Sequence, residues 1–381
     1  MDFALSNDQV EFKRAVIDFA KKEIEPGIAE RDKDGVFSRE LWTKCAEFGV
    51  QGMPFPAEYG GQGADSLTTA LVMEGLGEGC RDNGLIFSIN AHMWSAVMPI
   101  MRFGNDEQKR RYLPGLIDGS LIGVQGMTEP ESGSDAYALA TTAEKKGDRF
   151  ILNGSKTFIT NAPVADLFIV FASVDPSKGW AGLSAFIVDR DTPGLDVGRP
   201  FDKMGLRTSP MSDVFFDDCE VPAENALAPS GSGMMVFQHS IEWERSLILA
   251  NTIGTVQRQL DNAVSYANQR EQFGQSIGKF QAVAHRLVDV RVHLEAARLM
   301  LYQLAWKRDH GGATPLESSM VKLFLSENVV EASLETLQTF GGYGYLSESG
   351  LEQDLRDAIA SRIYSGTSDI QRNVIAHQMG L

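Results

Sequence analysis

The sequence reads as an α+β multidomain protein. It has an N-terminal helical domain over residues 1–118, a central antiparallel β domain over 119–230 and a C-terminal four-helix-bundle domain over 231–381. Three observations predict this order. Apolar residues recur at helical spacing in the first part. In the middle they switch to short runs punctuated by Gly, Pro, Asp and Asn. At the end they return to long helical stripes.

In the first part, Asn7-Asp8-Gln9-Val10 can cap a helix carrying Val10, Phe12, Val16 and Phe19. Pro54, Pro56 and Gly60-Gly61-Gln62-Gly63 mark a loop. A second helical block begins near Ser66, a third spans roughly Leu85 to Phe103, and a short basic helix follows Asn105. Its Lys109-Arg110-Arg111 triplet reads as a solvated face. The middle part carries strand-like runs at Thr141-Thr142, Phe150-Ile151, Phe158-Ile159, Phe168 to Phe171 and Phe186 to Val188, with Gly147-Asp148 as a hairpin turn. They suggest a compact antiparallel sheet pair or barrel. In the last part Leu249, Ile253, Val256, Leu260, Ala263 and Ala267 form one stripe. Val283, Leu287, Val290, Leu294, Ala297 and Leu301 form the next, and a third helix runs from about Pro315 to Phe340. Such stripes belong to long helices packed side by side.

Composition bounds the function. The 381 residues are 43% apolar and 23% charged, as in ordinary soluble globular proteins. No run reads as a membrane span. The first residues lack the basic start and apolar centre of a secretion signal. Cys45, Cys80 and Cys219 are scattered, without metal-ligand spacing or a paired framework, so no metal and a cytoplasmic setting are expected. The net charge of −16 argues against nucleic acid, and an anionic ligand needs a local basic pocket.

One stretch stands out: Leu121-Ile122-Gly123-Val124, a buried-strand pattern, runs into Gln125-Gly126-Met127-Thr128-Glu129-Pro130-Glu131-Ser132-Gly133-Ser134-Asp135. A tight Ser/Gly turn at a strand end presents backbone N–H groups and hydroxyls together, which suits a phosphate or the polar edge of a ring cofactor. By itself it is most often only a turn. Four further stretches accompany it in order: Gly154-Ser155-Lys156-Thr157-Phe158-Ile159-Thr160-Asn161, Arg270-Glu271-Gln272-Phe273-Gly274, Gln338-Thr339-Phe340-Gly341-Gly342-Tyr343-Gly344 and Ile363-Tyr364-Ser365-Gly366-Thr367-Ser368-Asp369-Ile370-Gln371-Arg372. With the helical–β–helical order, these motifs resemble the acyl-CoA dehydrogenase family over essentially the whole chain.

The resemblance implies FAD as cofactor. Met127, Thr128, Gly133 and Ser134 would line the flavin, Phe158 would lie against its ring, and Thr160 would bond near N5, the hydride acceptor. It also implies a homotetramer in which Arg270, Phe273, Gln281, Gln338, Gly341 and Gly342 reach a neighbour's cofactor, with Thr367 and Asp369 on its adenosine portion. A guanidinium at Arg270 independently suits a pyrophosphate.

Oxidation of an acyl thioester requires a base for the α-proton, and a carboxylate in a water-poor pocket is the economical choice. The family often places a Glu just before Gly366-Thr367-Ser368. Here that residue is Ser365, too weak a base without an adjacent His. A minority branch, including isovaleryl-CoA dehydrogenase, carries the base directly before an Arg on the helix holding Ser240-Ile241-Glu242-Trp243-Glu244-Arg245. Glu244 is therefore the expected base, with Glu242 as the fallback. On helix pattern alone, Glu244 would be a solvated residue. Trp94 and Trp243 are bulky and predict a small acyl pocket shared with Glu242, Arg245, Ser365 and Gly366. Core packing is the plainer reading of both indoles. His92 reads as structural.

The Ser365 and Glu244 combination resembles the branch that oxidises proline held as a thioester on a carrier protein, as in anatoxin-type biosynthesis. A short-branched-chain acyl-CoA dehydrogenase, a family member with other flavin chemistry and a catalytically silent flavoprotein stay open. So do oxygen or an electron-transfer flavoprotein as electron acceptor, one double bond or two, and the regiochemistry of hydride loss.

Overall fold

The computed structural model describes residues 4–381. Helix α1 (Asn7–Phe19) is capped by Ser6, one residue before the expected start, in a reciprocal capping box with Gln9. Its Val10 is exposed rather than buried. Helices α2 (Ile28–Asp34), α3 (Arg39–Glu47), α4 (Ser66–Gly79), α5 (Asn83–His92), α6 (Met98–Phe103) and α7 (Asp106–Ile117) complete the N-terminal part. One π turn, Met93–Val97, joins α5 to α6, making a continuous helical run from Asn83 to Phe103. By length and composition alone this run passes as long and apolar enough to cross a membrane, but 89% of its apolar window is buried inside the protein, as in a core helix.

Strands β1 (Gly123–Gly126), β2 (Thr142–Lys146), β3 (Arg149–Thr160), β4 (Leu167–Ser173), β5 (Leu183–Asp189), β6 (Leu195–Val197), β7 (Met211–Pro222) and β8 (Ala226–Leu227) form one sheet. Its order is β6-β7-β3-β2-β4-β5-β8, with β1 beside β4. The sheet is not purely antiparallel as expected: β1 runs parallel to β4, and β2 meets β4 in parallel at Thr142 and Ser173. Lys146 faces Arg149 across the two-residue turn expected at Gly147-Asp148. Strand β4 is buried at every position, so its apolar run does not alternate. Strand β7 does alternate, but acidic residues at Asp213, Asp217, Asp218 and Glu220 hide it in the sequence.

In the C-terminal part α9 (Ala250–Gln269), α10 (Gln281–Asp309) and α11 (Pro315–Phe340) pack side by side, with α8 (Gly233–Leu247), α12 (Leu351–Ala360) and α13 (Ser368–Gln378) against α11. The stripe from Leu249 to Ala267 is buried throughout. Helix α4 also packs along α9. The two backbones meet at glycines: a Cβ on Gly77 would come within 2.0 Å of the Asn251 carbonyl oxygen, and one on Gly254 within 1.9 Å of that of Glu74. The N-terminal and C-terminal helices therefore share one interior, and α8 lies between the sheet and α11, where it carries Glu244.

Candidate active site

The C-terminal half of α8 presents Glu242, Trp243, Glu244 and Arg245, all half-buried. Helical rotation separates Glu242 from Glu244 by roughly 200°, so the two carboxylates leave on nearly opposite sides. The Ser365 hydroxyl donates to Glu244 Oε1 at 2.5 Å, and the Ser95 hydroxyl to Oε2 at 3.2 Å. Burial is the main influence on Glu244 and holds its carboxyl above the ordinary range. The two hydroxyls and the charges of Arg245 and Lys322 oppose it. Two hydroxyl donors thus orient the carboxylate in a setting that disfavours its charge. The Glu242 carboxylate has no such donors among the described residues.

Ser95 was missed at the sequence level. It sits on the π turn between α5 and α6, and such turns shift the side-chain register of a helix, frequently at functional sites. The Ser240 hydroxyl ties α8 to this turn through the Trp94 carbonyl at 3.0 Å, and to the end of β1 through Gln125 at 2.9 Å.

Ser365 and Gly366 form a left-handed turn between α12 and α13, with φ of 56° and 86°. The positive φ at 366 favours glycine, and a Cβ there would also press on the side-chain ends of Gln371, at 2.7 Å from Nε2, and Arg245, at 3.2 Å from Nη2. The Ser365 carbonyl accepts from Arg245 Nε at 3.2 Å and Gln371 Nε2 at 3.1 Å. The Gly366 carbonyl accepts from Gln371 Nε2 at 2.8 Å and Lys322 Nζ at 2.8 Å. Gln371 stands in the last motif without an expected role, and Lys322 was missed. A lysine in register with Leu325 and Val329 on a buried stripe was the available signal for Lys322.

Trp243 stacks on Trp94 at 5.7 Å with the rings 9° apart, and the Arg308 guanidinium lies 4.6 Å from the Trp243 ring centroid. Trp94 is fully buried and backs Trp243. Arg308 is fixed on the Ser246 hydroxyl at 2.8 Å and the Glu242 carbonyl at 2.6 Å. His92 is structural. Its Nδ1 accepts from the Gly123 N–H at 3.0 Å, so Nε2 carries the proton toward the Leu116 carbonyl at 2.8 Å, and burial lowers its pKa to about 4.

The loop after β1 is closed by paired hydrogen bonds between Glu129 and Ser132 and pinned to β3 by the Thr157 N–H on the Thr128 carbonyl at 2.9 Å. Under it lies a buried ion pair, Lys156 Nζ to Glu129 Oε1 at 2.6 Å. Gly133 and Ser134 are exposed, and a Cβ on Gly133 would have no atom within 4 Å. Thr128 and Thr160 are half-buried, whereas the Met127 side chain is buried. A register shift between β3 and β7 spans Thr157 and Phe158, and Phe158, at φ 57°, turns its ring outward to 62% exposure. An open polar turn beside an outward aromatic ring fits a flat cofactor with one apolar face and polar edges.

Family models match along nearly the whole chain: acyl-CoA dehydrogenase N-terminal domain over residues 6–120, middle domain over 125–219 and C-terminal domain over 231–380. The chain belongs to the acyl-CoA dehydrogenase family. It is 41% identical to an L-prolyl-[peptidyl-carrier protein] dehydrogenase of a Serratia species, over 100% of this chain and 99% of the relative. The crystal structure of the prolyl acyl carrier protein oxidase AnaB superposes with a TM-score of 0.98 at 49% identity, covering 99% of this chain and 100% of that one. PigA with FAD and proline gives 0.98 at 41% identity, with both chains fully covered at 100%.

The remaining motif residues of this acyl-CoA dehydrogenase family chain form a second group. Arg270 precedes a small hairpin of β9 (Glu271–Gln272) and β10 (Gln275–Ser276), and its guanidinium lies 5.9 Å from the Tyr343 ring centroid in the turn after α11. Tyr266 near the end of α9 stacks on Phe340 at the end of α11 at 4.1 Å, which joins the helix before the hairpin to the helix before that turn. Arg270, Phe273, Gln281, Gln338, Gly341 and Gly342 are all exposed, Phe273 to 93%. Thr367 caps α13, and Asp369 is exposed in its first turn. None of these residues hydrogen-bonds to the loop after β1 among the described residues.

Proposed function

We propose that the protein is an FAD-dependent dehydrogenase or oxidase acting on L-prolyl thioester carried by a carrier protein, with Glu244 as the base that takes the α-proton. The observation that carries the assignment of the base is the Ser365–Glu244 hydrogen bond of 2.5 Å: the position that often holds the family's glutamate serves here to orient a glutamate from α8. Bound FAD would supply the hydride acceptor. Met127, Thr128, Gly133, Ser134, Phe158 and Thr160 would hold its ring. Arg245 and Gln371 fix the Ser365 turn, and Trp243, wedged between Trp94 and Arg308, would limit the acyl group to a small one. The similarity to prolyl-carrier-protein enzymes at full coverage supports the substrate.

The exposed group of Arg270, Phe273, Gln281, Gln338, Gly341 and Gly342 supports a homotetramer in which these residues, with Thr367 and Asp369, complete a neighbour's cofactor site. Three free, buried thiols fit a cytoplasmic setting. Electrons would leave to oxygen or to an electron-transfer flavoprotein. Anaerobic stopped-flow bleaching of the flavin tests the substrate by comparing prolyl-carrier protein, prolyl-CoA and isovaleryl-CoA. Prolyl-carrier protein is expected to be fastest. Faster reduction by isovaleryl-CoA would restore the short-branched-chain acyl-CoA dehydrogenase reading.

A further inference from the structure

Lys322 has a fully buried side chain in α11 and forms no ion pair among the described residues. Its ammonium gives its hydrogen bond to an uncharged acceptor, the Gly366 carbonyl at 2.8 Å, and stands 5.9 Å from the Tyr364 ring centroid. An ammonium so placed loses its hydration without gaining a carboxylate, which is costly unless the charge is used.

We propose that Lys322 is a positioning residue for the base Glu244, fixing the Ser365–Gly366 turn and placing a positive charge behind the carboxylate. The proposal rests on Glu244 being the base. Two observations converge on it. First, the turn needs holding. Ser365 is a non-glycine residue at φ 56°, a conformation that persists only where surrounding contacts enforce it. Lys322, Gln371 and Arg245 clamp the Ser365 and Gly366 carbonyl oxygens of the turn whose Ser365 hydroxyl bonds Glu244. Second, a neutral donor such as glutamine could bond the Gly366 carbonyl, so what a lysine adds there is charge. The charged groups around it are Glu244 and Arg245 from α8, Glu327 from its own helix, and Arg362, which pairs with Glu327 at 2.6 Å. Tyr364 contributes a phenol. Burial, followed by the charge of Arg245, brings the Lys322 pKa down to about 7, while Glu244 and Glu327 pull the other way. The charges of the lysine and the base therefore act on each other. Ionised Glu244 favours charged Lys322, and charged Lys322 favours ionised Glu244.

The test compares wild-type enzyme with Lys322→Met and Lys322→Arg, all loaded with FAD. One readout is the pH dependence of single-turnover flavin reduction by prolyl-carrier protein. The other needs no turnover: the infrared carboxyl band of Glu244, recognised by its loss in Glu244→Gln and followed against pH. Lys322→Met is expected to raise the Glu244 midpoint in both readouts by about one pH unit, the effect of losing a nearby opposite charge. Lys322→Arg should return it toward wild type. An unmoved midpoint in Lys322→Met, or an equal shift in both variants, overturns the proposal. Should Lys322→Met fail to fold, Lys322→Gln, which keeps a donor for the Gly366 carbonyl and loses only the charge, is read in the same way. Failure of the parent reading looks different: Glu244→Gln would then be reduced at the wild-type rate, whatever Lys322 does to the infrared band.

Discussion

Replacing Lys156 by methionine should loosen the loop that carries Met127 to Ser134. The Lys156 and Glu129 side chains are 0% and 4% exposed and 2.6 Å apart. The same ammonium reaches the Met127 carbonyl at 3.3 Å, and the Glu129 carboxylate also accepts from the Ala140 N–H at 2.6 Å and the Thr141 N–H at 3.1 Å. Methionine fills a similar volume but leaves Glu129 as a buried, unpaired carboxylate, a defect that costs about 3–5 kcal/mol. The two backbone N–H groups remain, so the low end, about 3 kcal/mol, is expected. Removing both charges in Lys156→Met/Glu129→Gln should recover roughly half of that loss, because no charge is then stranded. Denaturant midpoints of the cofactor-free protein measure the loss, and FAD retention on gel filtration reports the loop. A loss below about 1 kcal/mol in the single variant, or a double variant as damaged as the single one, would refute the reasoning. The pair also predicts a pH dependence. Burial pushes the Glu129 carboxyl up, but the Lys156 charge and the hydrogen bonds outweigh it, and its pKa falls below the usual 4.5. The native state thus binds fewer protons than the unfolded chain, so this stabilisation is present above pH 4.5 and is lost as pH falls through the folded value.

Three other expectations follow from the same geometry. Ser365→Gly removes the hydroxyl while tolerating the left-handed backbone, so ionised Glu244 loses a donor and its pKa rises; flavin reduction measured against pH should show its rising limb displaced upward by about one unit, with the high-pH plateau nearly kept. Arg270→Ala should weaken FAD binding about 10-fold or more in equilibrium dialysis, and a stable monomer holding FAD as tightly as the wild-type protein would contradict the shared cofactor site. Trp243→Ala should raise the relative kcat/KM for longer acyl thioesters by about 10-fold, read from a chain-length series.

The order of helical, β and helical parts was legible because each long segment keeps one period. The buried stripe from Leu249 to Ala267 is the clearest case. The parallel placement of β1 was not legible, since hydrogen bonding between distant strands leaves no local trace, and β7 was hidden by its acidic residues. Glu244 and Ser365 could be paired only by noticing that a glutamate absent from one motif stood in another. Nothing in the helix pattern of α8 marks Glu244 as buried, because its burial comes from the turn after α12 and the π turn after α5. Ser95 was invisible for that reason: a π turn has no sequence period of its own. Lys322 was legible in principle as a charge on a buried stripe, but its meaning depends on where the Gly366 carbonyl falls.

The most direct measurement of the central claim is anaerobic flavin reduction by prolyl-carrier protein in Glu244→Gln, with Glu242→Gln beside it. Glutamine preserves the shape at position 244 and cannot take the α-proton. With FAD content unchanged, Glu244→Gln should slow reduction by roughly 10²–10⁴-fold or more, and Glu242→Gln should stay near wild type. Near-normal reduction in Glu244→Gln, with the loss appearing in Glu242→Gln, would contradict the account and move the base to the other side of α8.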